Sequence, residues 1–246
     1  MTASQNEPAF YISMPHPCSY LPGRMATMLF VSPQQVLDTR TFAELTRHGF
    51  RRSGDFVYRP HCQTCQACVP VRIPVSSFRA NRSQRRAWRR NQDLTVCRCE
   101  AEFKQEHFEL YLRYQSTRHP AGGMDEGDPE RYVRFLTTRH CTTDFYELRL
   151  ADQLLGVAVA DILPDGLSAV YTFYDPAAAT RSLGVFAILF EIEHARRLGL
   201  PWVYLGYWIA QCEKMSYKRN FGPLQIYQNG VWLDSPEAPQ RLQPPA

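Results

Sequence analysis

No stretch of this sequence approaches the ~18–20 consecutive apolar residues that a helix needs to cross a bilayer. The start, Met1-Thr2-Ala3-Ser4-Gln5-Asn6-Glu7-Pro8, lacks the basic residues and apolar run of an export leader. Both absences predict a soluble, cytoplasmic chain with no membrane partner. In that setting the eight cysteines (18, 62, 65, 68, 97, 99, 141 and 212) are expected as reduced thiols or metal ligands rather than disulfides. Between residues 56 and 92 there is no lysine and no acidic residue, against eight arginines. That segment carries +8, and with a net charge of +4 for the whole chain the remainder sums to −4. Charge concentrated in this way predicts a local polyanion site, not a generally adhesive surface. There is no defensible Ser/His/Asp triad and no internal repeat.

What is present is enough for a folded core: 246 residues, 44% hydrophobic and 13% aromatic. A helix is predicted over residues 32–49, with Ser32 as its cap, Pro33 at its first position and Gly49 as its stop. Residues 50–73 read as short strands and turns around cysteines, and 79–91 as a basic helix or ordered arm. Helices are predicted over 102–119 and 129–138, separated by a loop over 121–129. Three β-type runs follow at 145–150, 154–163 and 167–174. Ala151-Asp152-Gln153 and Pro164-Asp165-Gly166 separate them, which predicts an antiparallel meander. The strongest helical pattern covers 183–198, with Val185, Ile188, Leu189, Ile192 and Ala195 as its apolar stripe, Ser182 as its cap and Gly199 as its end. His194 falls on its polar side and is expected in solvent. Residues 202–208 read as a buried strand, and the proline-rich tail from 234 to 246 as disordered.

This order of elements is that of an acetyltransferase-like (GNAT-like) α/β fold. The sheet would be mixed and largely antiparallel with helices, preceded by a cysteine-containing N-terminal domain. The expected division is 1–95 for the cysteine-rich basic domain, 96–233 for the transferase domain and 234–246 for the tail. In such folds an acyl donor binds at the N-terminus of the helix after the central strand, here at Ser182 and Gly184, whose backbone N–H groups suit a phosphate. Any strand–loop–helix junction offers similar donors.

Two clusters carry chemistry. Cys62, Cys65 and Cys68, spaced by three with Cys18 as a fourth, suit zinc or an iron–sulfur cluster, or else form buried thiols shaping the domain. Cys97, Cys99, Cys141 and Cys212 are read as structural. Arg82, Arg85, Arg86, Arg89 and Arg90, with Arg72 and Arg79 before them, suit the phosphates of an RNA, and Trp88 suits a base; the alternative is a solvated basic face.

Several motifs together carry a family resemblance. They are Cys18-Ser19-Tyr20-Leu21-Pro22, Tyr58-Arg59-Pro60-His61-Cys62 with Cys65 and Cys68, Ser83-Gln84-Arg85-Arg86, and Phe173-Tyr174-Asp175-Pro176. Ser182-Leu183-Gly184, Tyr204-Leu205-Gly206-Tyr207-Trp208 and Lys214-Met215-Ser216-Tyr217-Lys218 complete them. In this order, over residues 11–233, the chain resembles the arginyl/leucyl-tRNA–protein transferases. The lack of long insertions is similar to the bacterial branch, which attaches leucine to proteins beginning with aspartate or glutamate.

The resemblance implies leucyl-tRNA as donor, a protein with N-terminal Asp or Glu as acceptor, and a product marked for N-degron-dependent degradation. It extends an iron–sulfur cluster, seen in eukaryotic members, to Cys18 and the clustered cysteines, with no cofactor needed for the chemistry itself. By position it places Arg51 and Arg52, with Tyr58 nearby, in a pocket for the acidic residue, where a guanidinium meets a carboxylate. Transfer is attack by the acceptor's α-amine on the ester that joins the amino acid to tRNA. Asp175 is a candidate to hold or deprotonate the amine, Tyr174 to donate a hydrogen bond, and Lys214 or Lys218 to act near the tRNA terminus. Two rival readings remain at this level: an acetyl-CoA acetyltransferase, and an RNA-binding or redox-sensing protein without transferase activity.

Overall fold

In a computed structural model, which describes residues 8–118 and 127–235, the residues expected to form a meander are the centre of the molecule. Four short strands come first: β1 (Phe10–Ile12), β2 (His16–Pro17), β3 (Met25–Ala26) and β4 (Met28–Val31). Helix α1 (Thr39–Arg47) is followed by β5 (Arg51–Ser53), β6 (Phe56–Pro60) and β7 (Val69–Pro74). Then come α2 (Arg82–Arg90), β8 (Thr95–Glu100), α3 (Gln105–Arg118) and α4 (Pro129–Leu136). The meander is β9 (Thr142–Leu150), β10 (Gln153–Leu163) and β11 (Gly166–Tyr174). A 3-10 turn (Pro176–Arg181) leads to α5 (Leu183–Arg197) and β12 (Trp202–Trp208). The chain closes with α6 (Glu213–Ser216), a second 3-10 turn (Tyr217–Asn220), β13 (Leu224–Gln228) and β14 (Val231–Ser235).

The result is a mixed α/β fold. Eight strands form one sheet in the order β14-β13-β7-β12-β11-β10-β9-β8, and β1-β4-β6-β5 form a smaller one. Every recorded pairing is antiparallel except that of β11 with β12. β7 precedes the expected boundary at residue 95, yet lies between β13 and β12 in the larger sheet.

Alternation along β10 explains the layers, because successive strand side chains face opposite sides. Val157 and Val159 face α3 and α4, packing with Leu110, Tyr111, Tyr132 and Leu136. Ala158 and Ala160 face the other way, with Tyr146 and Ala187 of α5. Small alanines there let α5 lie close to the sheet. A third cluster ties the smaller sheet to the larger through Val31, Phe42, Val57, Leu163 and Tyr204.

Three local expectations are corrected. Helix α1 starts at Thr39, capped by the Asp38 carboxylate accepting from the Thr41 N–H, and not at Ser32. The Ser32 carbonyl instead accepts from the Gln35 N–H in a separate turn. Ser182 precedes α5 in a left-handed conformation (φ 56°) and makes no side-chain cap. His194 is half-buried, stacked on Phe190 with ring centroids 5.6 Å apart. The meander, β12, α2, α3, α4 and α5 fall where the residue pattern puts them, and Gly49 ends the α1 region with φ +81°, while β1–β4, β8, β13 and β14 were not foreseen. The expected loop over 121–129 and tail over 234–246 lie largely outside the described residues. No helix among those described is long and apolar enough to cross a membrane.

Candidate active site

β11 and β12 run side by side only through Gly166↔Trp202, Leu167↔Val203 and Ser168↔Tyr204. Beyond that, β11 stays with β10 while β12, after a bulge between Tyr204 and Gly206, stays with β7. The strands therefore part, and Arg51 from β5 fills the parting. Its guanidinium donates to the Ala169 carbonyl at 2.7 Å and to the Ser168 hydroxyl at 3.4 Å. On the other side it lies on Gly206, where a Cβ would come within 2.8 Å of the Arg51 Cζ. Gly206 also has φ +73°, so both backbone conformation and close approach require glycine.

Arg51 is the electrostatic hub of what surrounds it. Burial pushes the hydroxyls of Tyr58 and Tyr207 upward and that of Tyr217 to about 12, each opposed by the Arg51 charge. Lys218, buried in the second 3-10 turn, donates from Nζ to the Tyr207 carbonyl at 2.8 Å. Burial first, then the Arg51 charge, brings its amine down to about 7. Glu191 of α5 is 1% exposed, and neither carboxylate oxygen accepts a hydrogen bond. Burial raises its carboxyl to about 8, with Arg51 opposing.

The expected pair Arg51 and Arg52 is split, because neighbours on a strand face opposite ways. Arg52 is not in a pocket. Its guanidinium grips Asp161 of β10 at 2.6 and 2.7 Å and also donates to Thr143 and to the carbonyls of Leu136 and Thr137. With those donors engaged and the side chain 2% exposed, Arg52 binds the two sheets together.

At the far end of β11, the Tyr174 hydroxyl accepts from Arg118 at 2.9 Å, and its ring lies against Tyr114 and over Gly184. One Asp175 oxygen accepts from the Ala177 N–H at 2.9 Å, so this side chain caps the 3-10 turn with one of its two oxygens. The Ser182 N–H is spent on the Ala179 carbonyl, which removes it as a phosphate donor. Lys214 is exposed on α6 while Lys218 is buried, so the two lysines occupy different environments.

Helix α2 turns Gln84 and Ala87 inward and leaves Arg82, Arg85, Arg86, Arg89 and Arg90 exposed. Its capping box at Asn81 and Gln84 fixes its start. Trp88, expected on a base, packs on Phe186 at 5.3 Å. Arg72 is likewise internal, 3.5 Å from the Trp202 ring centroid and 4.3 Å from that of Trp232. The turn before α5 is tied to α2 by Arg90 donating to the Thr180 carbonyl, and to Asp93 by a two-pronged pair with Arg181 at 2.9 Å.

Cys18, Cys65 and Cys68 pack against Leu21, Tyr207 and Ile209 beside the Arg51 region, joined by Cys212, which was read as structural. Burial, then the thiols of Cys18, Cys62, Cys65 and Cys212, push Cys68 up to about 12. Cys65 accepts from Arg24 at 3.4 Å and Cys62 donates to the Thr27 carbonyl at 3.7 Å. The group with mutually close donor atoms among the described residues, all within 4.8 Å, is a different one: Cys99, His107 and Glu147. The sulfurs of Cys18, Cys62, Cys65 and Cys68 are not drawn together to that spacing. Glu147 is held by charge pairing. Burial raises its carboxyl, but bonds from Arg149, His107 and Lys104 outweigh that and bring it to about 2.

Glu191 and Arg118 were not singled out from sequence, and Gly206 and Tyr217 were named only within longer motifs. Glu191 carried a signal, since it sits three residues after Ile188 and four before Ala195, inside the apolar arc of α5.

A buried carboxyl and a buried amine thus stand around one arginine at a parting of two strands. The chain matches the family described as arginine-tRNA-protein transferase, its N terminus over residues 16–86 and its C terminus over 106–228, and belongs to that family. A relative from Nitrosococcus oceani, named aspartate/glutamate leucyltransferase, is 55% identical over 224 residues, 91% of this chain and 94% of its own length. One of the same name from Pseudomonas putida is 52% identical over 91% of this chain and 95% of its own. Among solved structures, FemX is 10% identical with a TM-score of 0.45, covering 75% of this chain and 76% of that one.

Proposed function

We propose that this protein transfers leucine from leucyl-tRNA to the α-amine of proteins beginning with aspartate or glutamate, in the cytoplasm. The observation that carries the reading is 52–55% identity, across 91% of the chain, to enzymes named for that activity. The product would be marked for N-degron-dependent degradation. The parting of β11 from β12 beside the start of α5 supports an acetyltransferase-like transferase domain.

In this reading the exposed arginines of α2 take phosphates of the tRNA, and exposed Lys214 of α6 acts near its terminus. Tyr174, Arg118 and Gly184 line the end of the site nearest α2. Arg51 and Lys218 offer the positive charge that an acceptor carboxylate requires, with Tyr58 and Tyr207 as walls. An arriving carboxylate would return the Lys218 amine to its charged form, because an opposite charge favours that state. The ester is already activated, so holding amine and carbonyl together supplies much of the acceleration. Cys18, Cys62, Cys65 and Cys68 would be the residues to hold an iron–sulfur cluster or zinc, with the sulfurs drawing closer for a single zinc ion, and no step of the transfer runs through a metal.

The test is incubation with labelled leucyl-tRNA or arginyl-tRNA and peptides beginning with Asp, Glu, Lys or Ala. Leucine on the Asp and Glu peptides alone is the expected result. Arginine transfer would move the chain to the other branch of the family, and transfer from neither would overturn the reading.

A further inference from the structure

The feature that the proposed reading leaves without a task is Glu191. Nothing in the described structure accounts for a carboxylate in this position. It is 1% exposed, both oxygens lack partners, and it stands on the sheet-facing side of the helix that borders the site. Burying such a group without hydrogen bonds is costly, and a buried Leu would avoid the cost. Arg51 does not bond it: that guanidinium donates to Ala169 and Ser168, and neither Glu191 oxygen has a partner. Three groups act on Glu191 from the elements around it: Arg51 of β5, Tyr217 of the second 3-10 turn and Tyr146 of β9. The Tyr146 hydroxyl is already directed to Asp144, at 3.3 Å.

Its surroundings also lead outward. Tyr217 interacts electrostatically with Glu191 on one side and Tyr174 on the other, and is itself 40% exposed. Tyr217 is thus a partly exposed group whose hydroxyl feels the carboxylate's charge. Gly184, under the Tyr174 ring, and Glu191 lie seven residues apart on one face of α5, two turns or about 10 Å along its axis. An acceptor N-terminus is a paired charge, with an ammonium on the backbone and a carboxylate on the side chain. The site holds the complement, with Arg51 and Lys218 as basic groups and Glu191 as a carboxyl without a hydrogen-bond partner among the described residues.

We propose that Glu191 receives the acceptor's α-ammonium and takes its proton, producing the neutral amine that attacks the ester. The assignment rests on the reading of the site as an aminoacyl-transfer centre. One proton passes from the ammonium to the carboxylate, and the nitrogen lone pair then forms a bond to the ester carbonyl carbon. As the carbon–oxygen bond to the tRNA ribose breaks, the second amine proton goes to the departing oxygen, which leaves as a hydroxyl. Glu191 returns its proton to solvent. A free α-amine titrates at about 7.7–8.0, and burial holds the Glu191 carboxyl near the same range, so the exchange is close to balanced.

The variant Glu191→Gln keeps shape and removes the charge. At pH about 7 it should transfer leucine about 10²–10⁴-fold more slowly than wild type, the range for loss of a proton acceptor, with KM for leucyl-tRNA unchanged. At pH about 9.5 free amine is abundant, and the deficit should shrink at least about tenfold, in line with the amine's own titration. Its melting temperature at pH 8 should equal or exceed that of wild type. A deficit constant with pH, or none, would overturn the assignment. A binding measurement without tRNA separates this from failure of the functional reading. A peptide beginning with Asp should bind wild type at least about tenfold more tightly than the variant, while its N-acetylated form binds both equally weakly. Selective loss of binding with no leucine transfer by wild type would retain Glu191 and discard leucyl-tRNA as donor. Equal binding of the free-amine peptide to both proteins would discard Glu191.

Discussion

Two adjacent arginines show how much a single residue's role depends on which way it faces. Arg52 is a buried ion pair with Asp161 that no substrate can reach, and removing one partner strands the other. Arg52→Met should therefore destabilise the fold by roughly 3–5 kcal/mol in denaturant melts, while activity per folded molecule is kept. Gly206 is the counterpart of Arg51. Adding a methyl in Gly206→Ala places it 2.8 Å from the guanidinium carbon and leaves a side chain at φ +73°. The expected outcome is a lower melting temperature together with a loss of transfer greater than the loss of folded protein. Lys218 has a folded-state pKa, about 7, below its unfolded value. The unfolded chain therefore binds more protons between about pH 7 and 10.4, and stability rises with pH across that window. Lys218→Met should raise the melting temperature more at pH 6 than at pH 9.5, while it lowers affinity for peptides beginning with Asp.

At the scale of elements, most of the architecture was legible. The meander was marked by its polar breaks, α5 by its apolar stripe and Gly199, and α2 by its arginine run. Terminal details were less legible where two caps competed. Ser32 and Asp38 both suit a helix start, and the choice fell to Asp38, whose carboxylate meets the Thr41 N–H at 2.7 Å. The division of α2 into faces follows helical periodicity: Gln84 and Ala87 inward, arginines outward. If those arginines bind phosphates, neutralising three of them in Arg85→Gln, Arg86→Gln and Arg89→Gln should weaken tRNA binding. The plot of log K against log salt should flatten by about 2–3 units, the sum of roughly 0.7–0.9 for each lost contact. An unchanged salt slope would make this face simply solvated.

For the molecule as a whole, charge pairs act as fasteners between parts far apart in the chain. Glu147 of β9, bonded by Lys104, His107 and Arg149, links the sheet to the segment that opens α3. Its depressed pKa means that its stabilisation is present above the unfolded value of about 4.3 and is lost as pH falls toward 2. Glu147→Gln should accordingly flatten the acid limb of the stability profile. Residue type and spacing were enough to identify the main helices, the meander and β12, the basic segment and the family, because each depends on neighbours within a turn or on motifs read in order. They could not show that β7 would sit beside β12, that Arg51 would face a parting of strands, or that Glu191 and Lys218 would gather round it. Those contacts join residues more than a hundred positions apart. They arise from sheet register and helix rotation, which the packing of the entire core sets and no local pattern encodes.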